Sequence, residues 1–234
     1  MVDALADLDP FALLDAEAQR LDGFFAGLRG EGWERPTRCE GWRARDLLAH
    51  LAGSEVYNRA CLDDRLDELF ATARAAGSDR LDAFNAWMVR QRAGKPVDDV
   101  LAEWRESGAS NRRRLRDLGR DGTLATSAGP YPAGAQAFHL AVEAATHADD
   151  LGAPVDGGER ESRTGWLARV ARWSLSHERE DGPRLRPVDG GVEVGTDGER
   201  ARLSDAELVA AATARLPHDH PLSPALREAL RAFA

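Results

Sequence analysis

Apolar side chains recur at helical spacing through most of the first 150 residues, and this pattern limits the possible folds more than any other feature. Asp9 followed by Pro10 is typical of a helix start, and an apolar stripe then runs as far as the glycines at 30–32. Further helical patterns cover about 43–75, 79–93, 97–118 and 134–151, whereas the segment 119–133 is rich in Gly and Pro and predicts a loop. The sequence therefore predicts a helical bundle over residues 1–153.

The pattern changes after the stop signal Gly152-Ala153-Pro154. Residues 154–163 are mostly polar and Gly-rich, which indicates a linker. A helical pattern at about 164–179 is followed by apolar alternation around Asp189-Gly190-Gly191, which predicts a hairpin. Ser204 and Glu207 have the spacing of a capping box, and a last short helix is expected after Pro224. We therefore predict a mainly α protein in which a small α+β domain, residues 164–234, follows the bundle.

The composition excludes several classes of partner. A formal net charge of −9 argues against binding to nucleic acid, whose partners usually present a basic surface. No stretch approaches the roughly 20 apolar residues of a transmembrane helix, so we expect no membrane partner. Two cysteines are too few for a disulfide framework, and the N-terminal sequence lacks a signal-peptide pattern. A cytoplasmic location is the resulting expectation, with the chain as a monomer or a homodimer.

Three side chains on two predicted helices suggest a metal site. His50 lies on the second helix, and Glu143 and His147 lie one turn apart on one face of the helix before residue 152. Together they would supply three N/O ligands and leave a position open, as in catalytic zinc sites. His139 lies four residues before Glu143, so it is an alternative ligand or an outer-shell group. The spacings alone do not decide between a metal site and structural histidines.

Two motif segments carry a resemblance to a known family. The first segment comprises Trp33, Pro36-Thr37, Cys39, Gly41-Trp42 and the run Arg45-Asp46-Leu47-Leu48-Ala49-His50-Leu51. The second segment consists of Glu143, His147 and Asp150 in the spacing Glu, three residues, His, two residues, Asp. In these segments the chain resembles the mycothiol-dependent maleylpyruvate isomerase family, within the DinB-like four-helix-bundle superfamily, and the resemblance covers about residues 8–153.

The resemblance implies a DinB-like four-helix bundle followed by a small α+β domain. It implies that His50, Glu143 and His147 bind a divalent metal, usually zinc, and that Asp150 supports a ligating imidazole from the outer shell. Family members often carry a late arginine that binds anionic substrate or thiol, and the closest match here is Arg215. The implied cosubstrate is mycothiol. The arginine-rich composition is typical of a high-GC genome and so fits the actinobacterial source that mycothiol implies.

The chemistry expected from such a site is activation of a small thiol. A thiol bound to Zn²⁺ is deprotonated near neutral pH, and thiolate is the nucleophilic form. Addition to a small electrophilic substrate would give either cis-trans isomerisation or S-transfer. The alternatives are a metal hydrolase, with His139 or Asp150 as the base, and a non-catalytic metal- or ligand-binding bundle. Neither Cys39, expected in a loop contact, nor Cys61, expected in the core, is predicted to be a nucleophile.

Overall fold

The computed structural model describes residues 3–78, 80–178 and 182–233, and it divides the chain into two compact units. One unit spans Pro10–Pro154. The other joins the residues before Pro10 to the chain after Pro154. The division after Pro154 falls inside the segment 154–163 that was predicted to be a linker.

Six α-helices, one short 3-10 helix (Gly30–Glu34) and one hairpin form the described part of the first unit. The α-helices are α1 (Pro10–Gly27), α2 (Ala44–Leu62), α3 (Leu66–Ala75), α4 (Leu81–Arg90), α5 (Val97–Leu118) and α6 (Ala133–Leu151). Helix α1 packs against α6, α2 packs against α5, and α5 also contacts α1 and α6, which gives a four-helix bundle. Its core contains Leu21 and Phe25 from α1, Leu47 from α2 and Trp104 from α5, all buried.

The single helix predicted over 43–75 is wrong, because the chain breaks between α2 and α3. Asp64 adopts a left-handed backbone conformation, with φ of 55°, directly after the C-cap residue Asp63. Asp tolerates this conformation better than most residues, so it can end one helix and redirect the chain into the next. Gly53 does not interrupt α2, and a Cβ there would lie 2.7 Å from Met88 Cβ, so this glycine allows α4 to approach closely.

The loop predicted over 119–133 is also partly wrong, since it contains an antiparallel hairpin. Strand β1 (Thr123–Thr126) pairs with β2 (Gly129–Pro132), and Gly129 has a φ of 97°. The strands have four residues each, which is too short for an apolar alternation to appear in the sequence.

A buried arginine fastens α4 to the bundle. Arg92 is 5% exposed and donates to the backbone oxygens of Met88 in α4, at 2.9 Å, and of Ala52 in α2, at 3.2 Å. It also forms a 2.5 Å ion pair with Glu103 in α5, whose other carboxylate oxygen accepts from Lys95. One guanidinium therefore ties three helices together.

The second unit combines helices with a three-stranded sheet. Its elements are α7 (Gly157–His177), β3 (Arg184–Val188), β4 (Gly191–Gly195), β5 (Arg200–Leu203), α8 (Asp205–Ala212) and α9 (Pro224–Ala229). The sheet is antiparallel in the order β3-β4-β5, and the core of the unit includes Leu175, Val192, Val194 and Leu208. A short 3-10 turn before Pro10 packs against α7, where Arg169 donates to Ala4 O and to Asp7.

Several sequence-based expectations for this unit are confirmed. The hairpin turns at Gly190, the capping box joins Ser204 to Glu207, and a short helix starts at Pro224. Helix α7 begins at Gly157 rather than at about 164, because Asp156 Oδ1 accepts from Gly158 N and caps the helix seven residues earlier than expected. The predicted class, a mainly α fold with small sheets, is confirmed.

Candidate metal centre

His50 enters the site from the second turn of α2. The helix starts after Arg43, whose backbone N–H donates to Asp46 Oδ2 at 3.0 Å and so satisfies one free donor of the first turn. His50 is 7% exposed, and its ring centroid lies 5.0 Å from that of Trp42. The indole therefore covers one side of the imidazole and limits the access of water to it.

Glu143 and His147 come from one face of α6, as their spacing predicts. His147 Nδ1 lies 3.1 Å from Oδ2 of Asp150, whose side chain is completely buried. A carboxylate at this distance holds the proton on Nδ1, which leaves the lone pair on Nε2 free for a cation. Asp150 therefore has the contact expected of a group that orients a ligating imidazole.

The structure brings His50, Glu143 and His147 together. Their candidate ligand atoms all lie within 4.8 Å of one another. His50 Nε2 is 3.4 Å from Glu143 Oε1, and the two imidazole centroids are 5.0 Å apart. Ligands at about 2.0 Å from a tetrahedral ion are separated from one another by about 3.3 Å. The donor set and the spacing thus fit a divalent ion that prefers nitrogen and oxygen.

The electrostatics of Glu143 favour its ionised form. Burial raises the pKa of this carboxyl, but the opposing effects are larger in sum. They are the hydrogen bond from His50, the charges of His50 and His147, and the hydrogen bond from Ser54, and the pKa falls from 4.5 to about 2. A carboxylate that stays charged in a mostly apolar bundle is suited to bind a cation.

Ser54 is a site residue that the sequence reasoning missed. It lies one turn after His50 on α2, and its hydroxyl donates to Glu143 Oε1 at 2.9 Å. The four-residue step from His50 was the available signal, since it places both side chains on one helix face. The contact itself depends on the register of α2 against α6, which the sequence does not reveal.

We expect Ser54→Ala to weaken binding of Zn²⁺ by about 10–100-fold, the usual cost of removing an outer-shell partner. The reason is that Glu143 loses the donor that fixes its carboxylate. Competition with a chromophoric chelator measures the affinity, and Ser107→Ala, on α5, is the matched control because Ser107 contacts Arg59 instead. Equal affinities for both variants would show that Ser54 does not position Glu143.

His139 lies apart from these ligands. Its Nε2 is 2.9 Å from the hydroxyl of Tyr131 in β2, and among the described residues it belongs to neither group of side chains that could hold a metal. Burial lowers the pKa of His139 from 6.5 to about 4, although the nearby charge of Glu143 acts in the opposite direction. Its assignment as an outer-shell group stays a prediction.

The depressed pKa of His139 predicts a pH dependence of stability. The unfolded chain takes up a proton at residue 139 below about pH 6.5, whereas the folded chain resists it until about pH 4. Stability from this group is therefore lost as the pH falls through that window, by about 3 kcal/mol. Urea unfolding, measured in EDTA near pH 6.5 and near pH 4, gives the free energy of unfolding at each pH. Between these values the wild type should lose about 3 kcal/mol more than His139→Gln does. A difference that does not change with pH would contradict the prediction.

The loop before α2 is hydrogen-bonded to the last residues of α6, next to Asp150. Arg38 N donates to Asp150 O at 3.1 Å, and Arg35 donates to Leu151 O at 2.5 Å. Cys39 Sγ lies 3.2 Å from Asp150 Oδ2 and 3.9 Å from His147 Nδ1. The loop contact expected for Cys39 therefore exists, and Cys61 is buried in α2 as expected.

Arg215 lies in the second unit. It follows α8, after Ala214 with its left-handed φ of 55°, and its Nη1 donates to Thr213 O at 2.9 Å. Its predicted catalytic role stays a prediction.

Comparison with known families identifies the first unit. The family model described as Mycothiol maleylpyruvate isomerase N-terminal domain matches residues 14–152, more than half of the chain. The chain belongs to this family. The membership predicted from the two motif segments is therefore confirmed, and with it the prediction that the chain belongs to a family of enzymes.

Solved structures extend the likeness of this mycothiol maleylpyruvate isomerase family member beyond the N-terminal domain. A crystal structure of the mycothiol-dependent maleylpyruvate isomerase has a TM-score of 0.62 at 18% identity and covers 88% of each chain. A histidine-to-alanine mutant of that isomerase gives the same values. At this identity the likeness establishes a shared fold. No curated protein sequence matches the chain significantly. In the part of the chain that the structure describes, no helix is long and apolar enough to cross a membrane.

Proposed function

We propose that this family member is a metal-dependent enzyme that uses mycothiol to catalyse cis-trans isomerisation of a small electrophilic substrate. The observation that carries the proposal is the convergence of His50, Glu143 and His147, with candidate ligand atoms within 4.8 Å of one another. Two imidazoles and one carboxylate make a three-ligand set that suits Zn²⁺ and leaves a fourth position for an exogenous ligand. Family membership supports a small thiol as that ligand.

Residues around the ligands have distinct tasks in this proposal. Asp150 holds the proton on His147 Nδ1, and Ser54 fixes one oxygen of Glu143. Trp42 covers the ring of His50 and helps exclude water. A bound divalent ion would supply the positive charge that stabilises the thiolate form of a small thiol at neutral pH. Arg215 belongs to the second unit, and its proposed role, pairing with an anionic group of substrate or thiol, rests on family resemblance alone.

The proposed reaction balances without a further reagent. The thiolate sulfur forms a bond to an alkene carbon conjugated to a carbonyl, and the electron pair moves onto the carbonyl oxygen. The former double bond then rotates as a single bond. The electron pair returns, the carbon–sulfur bond breaks, and the thiolate is regenerated. S-transfer would instead retain the carbon–sulfur bond, so consumption of the thiol distinguishes the two reactions.

The test is an isomerase assay with maleylpyruvate, with and without mycothiol, on protein of known zinc content. We expect turnover that requires both the thiol and one zinc per chain, without net loss of thiol. Hydrolysis that proceeds without thiol would support the metal hydrolase instead. Zinc-loaded protein with no turnover of maleylpyruvate or other conjugated alkenes would contradict the isomerase and leave a metal-binding bundle.

A further inference from the structure

A second group of metal-ligating side chains lies next to the candidate centre, on the Nδ1 side of the His147 ring. It consists of Cys39, His147 and Asp150, whose ligand atoms also lie within 4.8 Å of one another. The two groups share His147 but use different atoms of its ring. Nδ1 faces Asp150 and Cys39, whereas the first group needs Nε2 toward His50 and Glu143.

The distances within this group resemble those of a metal site. A tetrahedral ion with a sulfur ligand at about 2.3 Å and a nitrogen or oxygen ligand at about 2.0 Å places these ligands about 3.5 Å apart. Cys39 Sγ is 3.2 Å from Asp150 Oδ2 and 3.9 Å from His147 Nδ1, and Asp150 Oδ2 is 3.1 Å from the same nitrogen. Side-chain adjustments of a few tenths of an ångström would therefore suffice to ligate an ion.

The backbone of the loop holds Cys39 in this place. Thr37 Oγ1 accepts from Cys39 N at 3.1 Å, and Arg38 N donates to Asp150 O at 3.1 Å. Cys39 is also partly exposed, whereas Asp150 is buried. Cys39 is therefore the most exposed residue of the three.

We propose that Cys39, His147 Nδ1 and Asp150 form a second metal site, which takes a thiophilic divalent ion such as Zn²⁺ or Cd²⁺. A thiolate and a carboxylate neutralise the charge of the ion, and the sulfur gives the site a preference for softer metals than the first group. The site does not depend on the proposed isomerase activity, although it shares His147 with the proposed centre.

Sharing one imidazole couples the two sites. In the first site Asp150 is proposed to orient the ring through a hydrogen bond at Nδ1, whereas in the second site this carboxylate and this nitrogen would both bind the ion. Two cations bound to one imidazole would also repel each other. We therefore expect binding at one site to weaken binding at the other.

The experiment is a titration of the whole chain with Cd²⁺ alone, monitored by the near-ultraviolet absorption of the cadmium–thiolate bond. The second cysteine provides the matched control, because burial raises the pKa of the Cys61 thiol from 9.0 to about 11. We expect the band in the wild type and in Cys61→Ser, and its loss in Cys39→Ser. Asp150→Asn removes a charged ligand of this site and should weaken the affinity measured from the band by at least about 10³-fold, more than the 10–100-fold typical of outer-shell changes. Circular dichroism confirms that each variant is folded.

Glu143→Gln separates the two sites. It removes a ligand of the first site only, so the cadmium–thiolate band should persist in this variant. The proposal of a second site is wrong if the wild type binds Cd²⁺ without a thiolate band, or if the band survives in Cys39→Ser. Loss of the band in folded Glu143→Gln would also overturn it, since Cys39 would then be a ligand of a single centre. The proposal that His50, Glu143 and His147 bind a metal would not be contradicted by that result.

Discussion

Glu143→Gln is expected to weaken zinc binding by at least about 10³-fold, more than the 10–100-fold typical of outer-shell changes. The substitution keeps the size of the side chain but removes the only negative charge among His50, Glu143 and His147. The pKa of Glu143 is held at about 2, so the wild-type group is fully ionised at neutral pH. Thiol-dependent turnover should fall together with zinc content, which can be measured by elemental analysis after dialysis.

The matched control is Glu55→Gln in the same bundle. Burial raises the pKa of Glu55, against the hydrogen bonds from Asn111 and Asn58, and its carboxylate accepts from Asn111 at 2.8 Å. We expect this variant to keep its zinc. If Glu143→Gln kept zinc at wild-type affinity, the carboxylate would not be a ligand. If both variants lost zinc while remaining folded, the loss would reflect the removal of any negative charge from the bundle rather than the loss of a specific ligand.

Arg92→Met is expected to lower the free energy of unfolding at neutral pH by about 3 kcal/mol, the largest loss of stability that we expect from a single substitution at that pH. Methionine fills a similar volume, but the carbonyls of Met88 and Ala52 lose their donor and Glu103 loses its buried partner. Urea unfolding followed by circular dichroism measures the change.

Lys95→Met provides the control, because Lys95 bonds to the other oxygen of Glu103 while being 48% exposed. A solvated ion pair of this kind is worth at most about 1 kcal/mol. If both variants lowered the free energy of unfolding equally, the burial of Arg92 and its bonds to the backbone would add no stability beyond that of a solvated ion pair. A loss below about 1 kcal/mol for Arg92→Met would contradict the prediction directly.

The sequence predicted the parts of this protein that depend on local spacing. Pro10 starts α1, Gly152 ends α6 with a φ of 69°, and Ser204 caps α8. Glu143 and His147 face the same way because they are four residues apart on one helix. Their convergence with His50 was a hypothesis from family resemblance, since no local pattern relates residues about 90 positions apart.

The features that the sequence missed depend on how helices pack. Ser54 reaches Glu143, and Cys39 reaches Asp150, only in the register that the bundle adopts. Arg92 lies at the end of the helical pattern over 79–93, and the apolar spacing that defines this pattern does not signal the burial of an arginine. The break at Asp64 was missed because apolar residues continue at helical spacing on both sides of it.

The order of the ligands along the chain has a consequence for biosynthesis. His50 belongs to the second helix of the bundle, whereas Glu143 and His147 belong to its last helix, which packs against the first. A ribosome must therefore make the entire bundle before the ligands can meet, and the newly made α1 lacks its main packing partner, α6, until then. Contacts between such distant segments form late, because closing a long loop costs entropy before the contacts offset it. Zinc uptake should thus report completion of the bundle, and chains truncated before α6 should not retain the metal and should leave the face of α1 that contacts α6 uncovered.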